Sequence, residues 1–457
     1  FRSDGSDIII EPEIAGQPTG QTDVLKFGAG ISATDVAVNR VGTNLVLALA
    51  NGTDKVTIKD WFSTASATAR QVERVEFADG TVWLASDLTA RGLVLMGTEG
   101  ADVLVGLSGY NNTIYGGGGD DQLTGANLGD QIYGQDGADK LYGTDGADLM
   151  YGGAGDDILD GGKGQDYLSG GDGNDILGGA GGTVDQGINA WMNFQDPGAG
   201  NIYEGGKGND ILNGSWRSDE YRFNAGDGSD TIIEPEIAGQ PTGQTDVLKF
   251  GAAISAADVR VSRVGMNLVL TLTNAADQIT VKDWFSAPTS TAKQLEKVIF
   301  QDGTEWLASE LTSRALTVTD DDAGHGIQGL SNFSNSLYGA GGADTLYGGS
   351  LADTLAGGAG NDGLYGGAGD DTYRWSAGDG YDTLNESSGS DTLVFEGVNR
   401  HLAVVYRVGN DLEVNVGAGQ GVLVKNQFAT GGAVEMVIFG DTSLTAAQLA
   451  SAALLKS

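Results

Sequence analysis

Residues 116–178 read GGGGDDQLT, GANLGDQIY, GQDGADKLY, GTDGADLMY, GGAGDDILD, GGKGQDYLS and GGDGNDILG, seven nine-residue units without a break. The first position is always Gly. The sixth is always Asp: Asp121, Asp130, Asp139, Asp148, Asp157, Asp166 and Asp175. The eighth is always a large aliphatic: Leu123, Ile132, Leu141, Met150, Leu159, Leu168 and Leu177. One aliphatic every nine residues does not trace a face of a helix, whose period is 3.6. It fits short strands that alternate with tight turns, in which Gly permits positive φ and close backbone approach. Two units then make one coil of a flattened solenoid with a strand on each face. The aliphatic side chains stack between two parallel sheets, and each unit contacts only its neighbours.

Stacked turns bring Asp121, Asp139, Asp157 and Asp175 to one edge and Asp130, Asp148 and Asp166 to the other. Rows of carboxylates a strand spacing apart repel one another unless a counter-ion intervenes. The Gly-rich turns also direct backbone carbonyls into the same gap. Carboxylates with carbonyls form a hard, oxygen-only donor set of flexible geometry, which suits Ca²⁺ better than Mg²⁺. Soft transition metals are disfavoured, because the chain has no Cys and two His.

The bulk composition agrees. Gly accounts for 76 of 457 residues, and 62 acidic residues against 25 basic ones give a net charge of −37. Such a chain attracts cations and repels nucleic acid and anionic membrane surfaces. Without Cys it forms no disulfide, and no apolar run approaches a membrane span. The opening residues, FRSDG, do not read as a secretory leader. They resemble the inside of a repeat, so the chain is expected to be part of a longer product.

At an offset of 223 residues the chain falls on itself. DIIIEPEIAGQPTGQTDVLKFGAGIS (7–32) matches DTIIEPEIAGQPTGQTDVLKFGAAIS (230–255), and VTIKDWF (56–62) matches ITVKDWF (279–285). A looser third copy includes DTLNE (382–386), DTLVFEG (391–397) and VLVKNQF (422–428). The expected organisation is a β module at 1–96, a repeat block at 97–222 interrupted by a loop at 179–204, and a second module at 223–319. A shorter block follows at 320–385 and a third module at 386–457. The modules read as small antiparallel β units. Residues 36–41, 45–49, 55–59 and 72–77 are β-rich and partly alternating, and Asn51-Gly52 marks a hairpin. Residues 83–91 (WLASDLTAR) are the one short helix expected, with Ser86 or Asp87 near its start. Trp61, Phe62, Phe77 and Trp83 read as module core. The fold class is therefore all-β, with parallel β-roll blocks alternating with antiparallel modules.

The unit G-G-x-G-x-D-x-U-x, where U is the aliphatic, resembles the calcium-binding repeat of the RTX (repeats-in-toxin) proteins. It recurs at 205–213 with Asp210 and at 339–374 with Asp344, Asp353, Asp362 and Asp371. The modules resemble the haemolysin-type calcium-binding-related domain. The resemblance implies a parallel β-roll with several Ca²⁺ ions between successive turns on one edge. Its ligands would be sixth-position Asp residues and turn carbonyls such as those of Gly116, Gly134, Gly152, Gly170, Gly339 and Gly357. Asp102 in the opening unit and Asp219 join the Asp series, as do Asp230 and Asp382 in the half-units GDGSD (226–230) and GDGYD (378–382). Asp7 in DGSD (4–7) stands in register with Asp230. The resemblance also implies a chain that stays largely unfolded at low Ca²⁺, leaves the cell through type I secretion machinery and folds outside.

Three stretches depart from the pattern. In 320–328 (DDDAGHGIQ) His325 replaces the Asp, so no ligand of the family type is expected there. Residues 106–115 and 329–338 carry Asn in place of Asp, with one extra residue, and read as turns with weak sites or none. The interruption at 179–204 clusters Trp191, Met192 and Phe194, which reads as a cover over the open side of the roll. No H-E-x-x-H, G-x-S-x-G or phosphate-binding loop occurs, so no enzymatic activity is expected. Two functions remain. One is an extracellular structural or adhesive protein of S-layer, fibre or matrix type that self-associates into arrays on the cell surface. The other is the secretion and folding carrier of a larger RTX enzyme or toxin, for which SLTAAQLASAALLKS (443–457) would serve as secretion signal.

Overall fold

The computed structural model describes residues 5–11, 22–63, 71–178, 200–215, 217–235, 243–286, 293–429 and 434–456. The chain divides into two compact units. One comprises Phe1–Asp258, Leu272–Lys282 and Ala292–Glu305, and the other Val259–Thr271, Asp283–Thr291 and Trp306–Ser457.

In the first unit the nonapeptides form a parallel β-roll. One sheet runs through Val94–Met96, Thr113–Gly118, Gln131–Asp136, Leu149–Ala154, Tyr167–Asp172, Ile202–Lys207, Glu220–Phe223, Val247–Phe250 and Lys297–Ile299, each parallel to the next. The other runs through Val103–Val105, Gln122–Thr124, Lys140–Asp145, Ile158–Lys163, Ile176–Leu177, Ile211–Asn213, Ser229–Ile233 and Gln278–Val281. The register is two nonapeptides: Ile114 lies on Ile132, Ile132 on Met150 and Met150 on Leu168. Leu123, Leu141, Leu159 and Leu177 stack likewise in the facing sheet. All these side chains are buried. The same register stacks the outward ninth-position residues, so the rings of Tyr115, Tyr133 and Tyr151 lie face to face with centroids 4.9 and 5.3 Å apart.

The second unit repeats this with fewer coils. Thr317–Thr319, Ser336–Tyr338, Thr354–Ala356, Thr372–Ser376, Thr392–Glu396 and Met436–Ile438 form one parallel series. Gly326–Gln328, Thr345–Gly349, Gly363–Gly367, Tyr381–Asn385 and Gln420–Val424 form the other. The core continues without a break from Leu337, Leu346, Leu355 and Leu364 into Val414, Val422 and Val437 of the third module.

The modules are antiparallel only in part. Val36–Val41, Asn44–Leu49 and Lys55–Ile58 make an antiparallel meander, with Gly52 at φ +75° in its turn. Ser6–Ile9 then joins Lys55–Ile58, and Val24–Lys26 joins Arg74–Glu76, in parallel. Trp61, Phe62, Phe77 and Trp83 all lie in the module core. The helix expected over 83–91 is Ala85–Gly92, with a counterpart at Ala308–Leu316. Near the C-terminus Ala446–Ala452 is helical and buries Leu449, and Leu454–Leu455 adds to the strand Val404–Val408.

The sheets run on across two of the expected boundaries. Neither 222/223 nor 385/386 is a break in the sheets, because Ser229–Ile233 pairs with both Ile211–Asn213 and Gln278–Val281. Tyr381–Asn385 likewise pairs with both Gly363–Gly367 and Gln420–Val424. The end of a parallel sheet presents unpaired N–H and C=O groups, and the module strands satisfy them by continuing the same pairing. At the opposite edge Arg40 Nη2 donates to the Val105 carbonyl at 2.8 Å, and Arg263 Nη2 to that of Gln328 at 2.9 Å. The interruption expected at 179–204 is also shorter. The roll has resumed by Ile202–Lys207, whose Tyr203 stacks on Leu168. Trp191, Met192 and Phe194 lie outside the described residues.

The ladder predicts an unequal pair of substitutions. Leu141→Ala removes a fully buried rung and should cost the calcium-loaded protein about 2–5 kcal/mol. Gln131→Ala, on an exposed outward position, should stay within about 0.5 kcal/mol. Denaturant unfolding at saturating Ca²⁺ checks both, and equal losses would contradict the two-unit register.

Candidate metal centres

The turns between strands place the Asp residues in four continuous ladders. On one edge of the first roll, the backbone N–H of Asp102 donates to Asp121 Oδ1, Asp121 to Asp139, Asp139 to Asp157, Asp157 to Asp175, Asp175 to Asp210 and Asp210 to Asp230, at 2.7–3.1 Å. On the other edge Asn112 donates to Asp130, Asp130 to Asp148, Asp148 to Asp166, Asp166 to Asn201, Asn201 to Asp219 and Asp219 to Asp246, at 2.5–3.0 Å. In the second unit one ladder runs His325, Asp344, Asp362, Asp382. The other runs Asn335, Asp353, Asp371, Asp391.

Each carboxylate thus spends Oδ1 on the coil before it. Its second oxygen is a different matter. Oδ2 of Asp121, Asp139, Asp148, Asp157, Asp175, Asp210, Asp230, Asp344, Asp353, Asp362, Asp371 and Asp382 is buried and meets no hydrogen-bond donor among the described residues. A buried unpaired carboxylate oxygen is costly to hold in that state. Those of Asp121, Asp139, Asp148, Asp157, Asp175, Asp344 and Asp353 point over the first-position Gly of their own unit, at the carbonyl of the Gly that opens the next unit on that edge. A side chain added at Gly116 would meet Asp121 Oδ2 and the Gly134 carbonyl. One at Gly134 would meet Asp139 and the Gly152 carbonyl, one at Gly152 Asp157 and the Gly170 carbonyl, and one at Gly170 Asp175 and the Gly205 carbonyl. Gly339 repeats the cradle with Asp344 and the Gly357 carbonyl, and Gly357 faces Asp362 Oδ2. Gly125, Gly143 and Gly348 build the same cradle on the opposite edges, with Asp130, Asp148 and Asp353. Orphaned carboxylate oxygens facing carbonyls, with no nitrogen or sulfur donor, fit a hard cation such as Ca²⁺.

Three sixth-position Asp residues are satisfied locally instead. Asp102 Oδ2 accepts from Thr98 N and Oγ1, Asp130 Oδ2 from Ala126 N, and Asp219 Oδ2 from Ser215 N. Asp166 holds its rung beside Gly161. The Asn turns close on themselves: Asn112 Oδ1 accepts from Leu107 N, while its Nδ2 donates to the Leu107 and Tyr110 carbonyls. Asn335 does the same with Leu330 and Phe333. At His325 the backbone N–H carries the ladder, and the ring Nδ1 stands 3.0 Å from Asp320 Oδ2 and 3.6 Å from Asp321 Oδ1. Asp7 is half-buried in the strand Ser6–Ile9, paired with Val56. Asn201, Asp246 and Asp391 are ladder rungs that repeat reading missed. The last two sit in TDVLKF and SDTLVF, where an Asp two residues before an aliphatic was the available signal.

Burial is the main force on the acidity of these groups, opposed by the donated N–H and reinforced by neighbouring carboxylates. It pushes Asp148, Asp157, Asp230 and Asp382 up to about 8 and Asp175 and Asp371 up to about 7. Asp139, Asp353 and Asp362 are raised from the same first cause. Among the described residues no helix is long and apolar enough to cross a membrane.

Comparison with known proteins agrees with the repeats and the modules. Residues 96–183 (in windows 96–132, 124–159, 133–168 and 151–183), 198–219 and 331–373 (331–355 and 338–373) match the RTX calcium-binding nonapeptide repeat. Residues 44–87 and 267–310 match the haemolysin-type calcium binding protein related domain. The chain is 33% identical over 100 residues to the iron-regulated protein FrpA of Neisseria meningitidis serogroup C, a match covering 22% of this chain and 8% of that protein. The crystal structure of the extracellular lipase LipA from Serratia marcescens aligns at 21% identity and a TM-score of 0.23, over 66% of this chain and 40% of the lipase.

Two outcomes are expected. Asp139→Ala should lower calcium stoichiometry and the calcium-loaded melting temperature more than Asp320→Ala, since only Asp139 offers an orphaned oxygen; equal effects in equilibrium dialysis and thermal melts would contradict this. The pH response should be inverted when a chelator is present. Carboxyls raised in the folded state favour the protonated form, so their contribution is complete below about 4, the ordinary carboxylate value, and is lost as pH rises through about 7–8. Calcium-free protein should therefore gain stability as pH falls from 8 towards 5 in urea melts. A monotonic loss over that range would count against the buried ladder.

Proposed function

We propose, from the premise that this chain is an RTX-type calcium-binding repeat protein with multiple Ca²⁺ sites, that it is a secreted structural or adhesive array protein which folds and stiffens when it meets extracellular calcium. The twelve orphaned Oδ2 atoms carry the folding half of this reading. In the absence of cations they are a buried polyanion on a thin aliphatic core. Metal binding to such a chain is folding free energy, and a net charge of −37 keeps the unfolded form expanded and soluble until calcium arrives.

The ligands in this reading are the sixth-position Asp residues of the four ladders and the carbonyls of the glycines that open the facing units. The structural half rests on duplication. One roll-plus-module assembly is built twice in the chain with the same ladders, the same Arg caps and the same module strands closing the sheets. Repetition of a self-contained rod element is how arrays are made, and it supports self-association on the bacterial surface. No catalysis is assigned to these residues: His325 is held by Asp320, and His401 lies in the single turn Arg400–Leu402.

A second reading is favoured by one observation. The match to FrpA covers 8% of that protein, so a segment of this kind serves there as a small part of a long chain. In that case the rolls are a secretion and folding carrier, exported by type I machinery, and the helix Ala446–Ala452 belongs to the signal.

A calcium titration read by circular dichroism and light scattering separates these. The array reading expects β signal to rise with Ca²⁺ and particle mass to grow beyond the monomer. A β signal unmoved by chelator would sink calcium-driven folding, and a monomer at every Ca²⁺ level would remove the array and leave the carrier.

A further inference from the structure

On one edge of each unit the end of the ladder differs from its middle. In the interior, the orphaned Oδ2 faces the carbonyl of the Gly that opens the next unit. After Asp371 no further nonapeptide exists to supply one. A side chain of the third module stands in its place: the space above Gly366 is bounded by Asp371 Oδ2, the Tyr373 hydroxyl and Glu386 Oε2, where the preceding turn over Gly348 has Asp353 Oδ2 and the Gly366 carbonyl. Asp391 closes the group, and oxygens of Asp371, Glu386 and Asp391 lie within 4.8 Å of one another. Asp371 is 1% exposed, and its Oδ2 meets no donor among the described residues while pointing into this cluster. Tyr373 OH donates to Glu386 Oε2, and Ser387 N to Glu386 Oε1 at 2.7 Å, which fixes the carboxylate over the site. No Lys or Arg is paired with these three carboxylates in any described ion pair.

The first unit builds a similar cluster, with Asp219 Oδ2 already held by Ser215 N. Asp219, Glu234 and Asp246 converge within 4.8 Å, all buried. Tyr221 OH donates to Glu234 Oε1 at 2.5 Å, and the space above Gly214 is bounded by Tyr221 OH and both Glu234 oxygens. Both copies continue outward alike: Asp246 N donates to Glu296 and Asp391 N to Glu435, each at 2.6 Å.

We propose that Asp371, Glu386 and Asp391 bind a divalent cation, Ca²⁺ by their all-oxygen chemistry, at a terminal site that joins roll to module, and that Asp219, Glu234 and Asp246 are its counterpart in the first unit. A carboxylate replaces the interior carbonyl, so the site carries more negative charge than an interior one. Tyr373 and Tyr221 are positioning residues. This rests on the calcium reading of the ladders, and the experiment distinguishes the two. Calcium bound per full-length chain is counted by equilibrium dialysis and native mass spectrometry for wild type and for Glu386→Gln, which keeps the shape and removes the charge. The expected result is the loss of one ion, with the interior ions retained and the β signal preserved at saturating Ca²⁺. Unchanged stoichiometry overturns the terminal site, leaving carboxylates that share a proton, without touching the interior sites. The interior reading fails separately, if wild type binds no calcium. Should Glu386→Gln fail to fold, Glu234→Gln in the first unit is counted in its place, with the same two outcomes.

Discussion

The structure depends on one repeated contact: a backbone N–H donating to the Oδ1 of the Asp one coil further on. It locks the register at two nonapeptides, because only that spacing brings an Asp under an N–H at every step. It also turns the second oxygen of each carboxylate inward, over a Gly that has no Cβ to obstruct it. At a strand spacing of about 4.8 Å, neighbouring charges repel by about 3 kcal/mol per pair at an effective dielectric near 20. The core that opposes this is one aliphatic layer thick, and each buried aliphatic contributes about 1.5–3 kcal/mol. The two are of similar size. Whether the roll stands therefore turns on what sits between the carboxylates, a proton or a cation. The inverted acidity of Asp148 and Asp157 expresses the same competition.

Much of this was legible in the repeat. Gly at the first position, Asp at the sixth and an aliphatic at the eighth are each required by a contact now visible, so the period alone led to the two sheets, the buried ladder and the carboxylate rows. The modules were less legible. Their hairpin strands alternate as antiparallel strands do, and Asn51-Gly52 marks a turn. The strands at 229–233 and 381–385, however, belong to roll and module at once. A short β-branched strand reads the same whether its neighbour is parallel or antiparallel, and only the fold shows which edge needed a partner. Asn201 escaped notice because no complete Gly-rich turn precedes it in the sequence, although its amide oxygen serves the ladder as an Asp oxygen would.

The departures from the repeat follow from position in the ladder. An interior rung must give an N–H forwards to the coil after it and two oxygens, one to the N–H of the coil before it and one to the gap. The opening rung has no coil before it and contributes only its N–H. His325 therefore replaces Asp without interrupting the ladder, and Asp102, free of any demand from a preceding coil, turns its Oδ2 to Thr98. Asn112 and Asn335 occupy the opening rung on the opposite edges and use their amides to close their own longer turns. The closing rungs face the contrary problem, an oxygen directed at a turn that does not exist. The chain meets it twice in the same way, with a Tyr–Glu pair followed by an Asp from the module. On these edges the roll ends where the module brings a carboxylate to the last turn, while Asp230 and Asp382 close the other two ladders with Oδ2 still orphaned among the described residues.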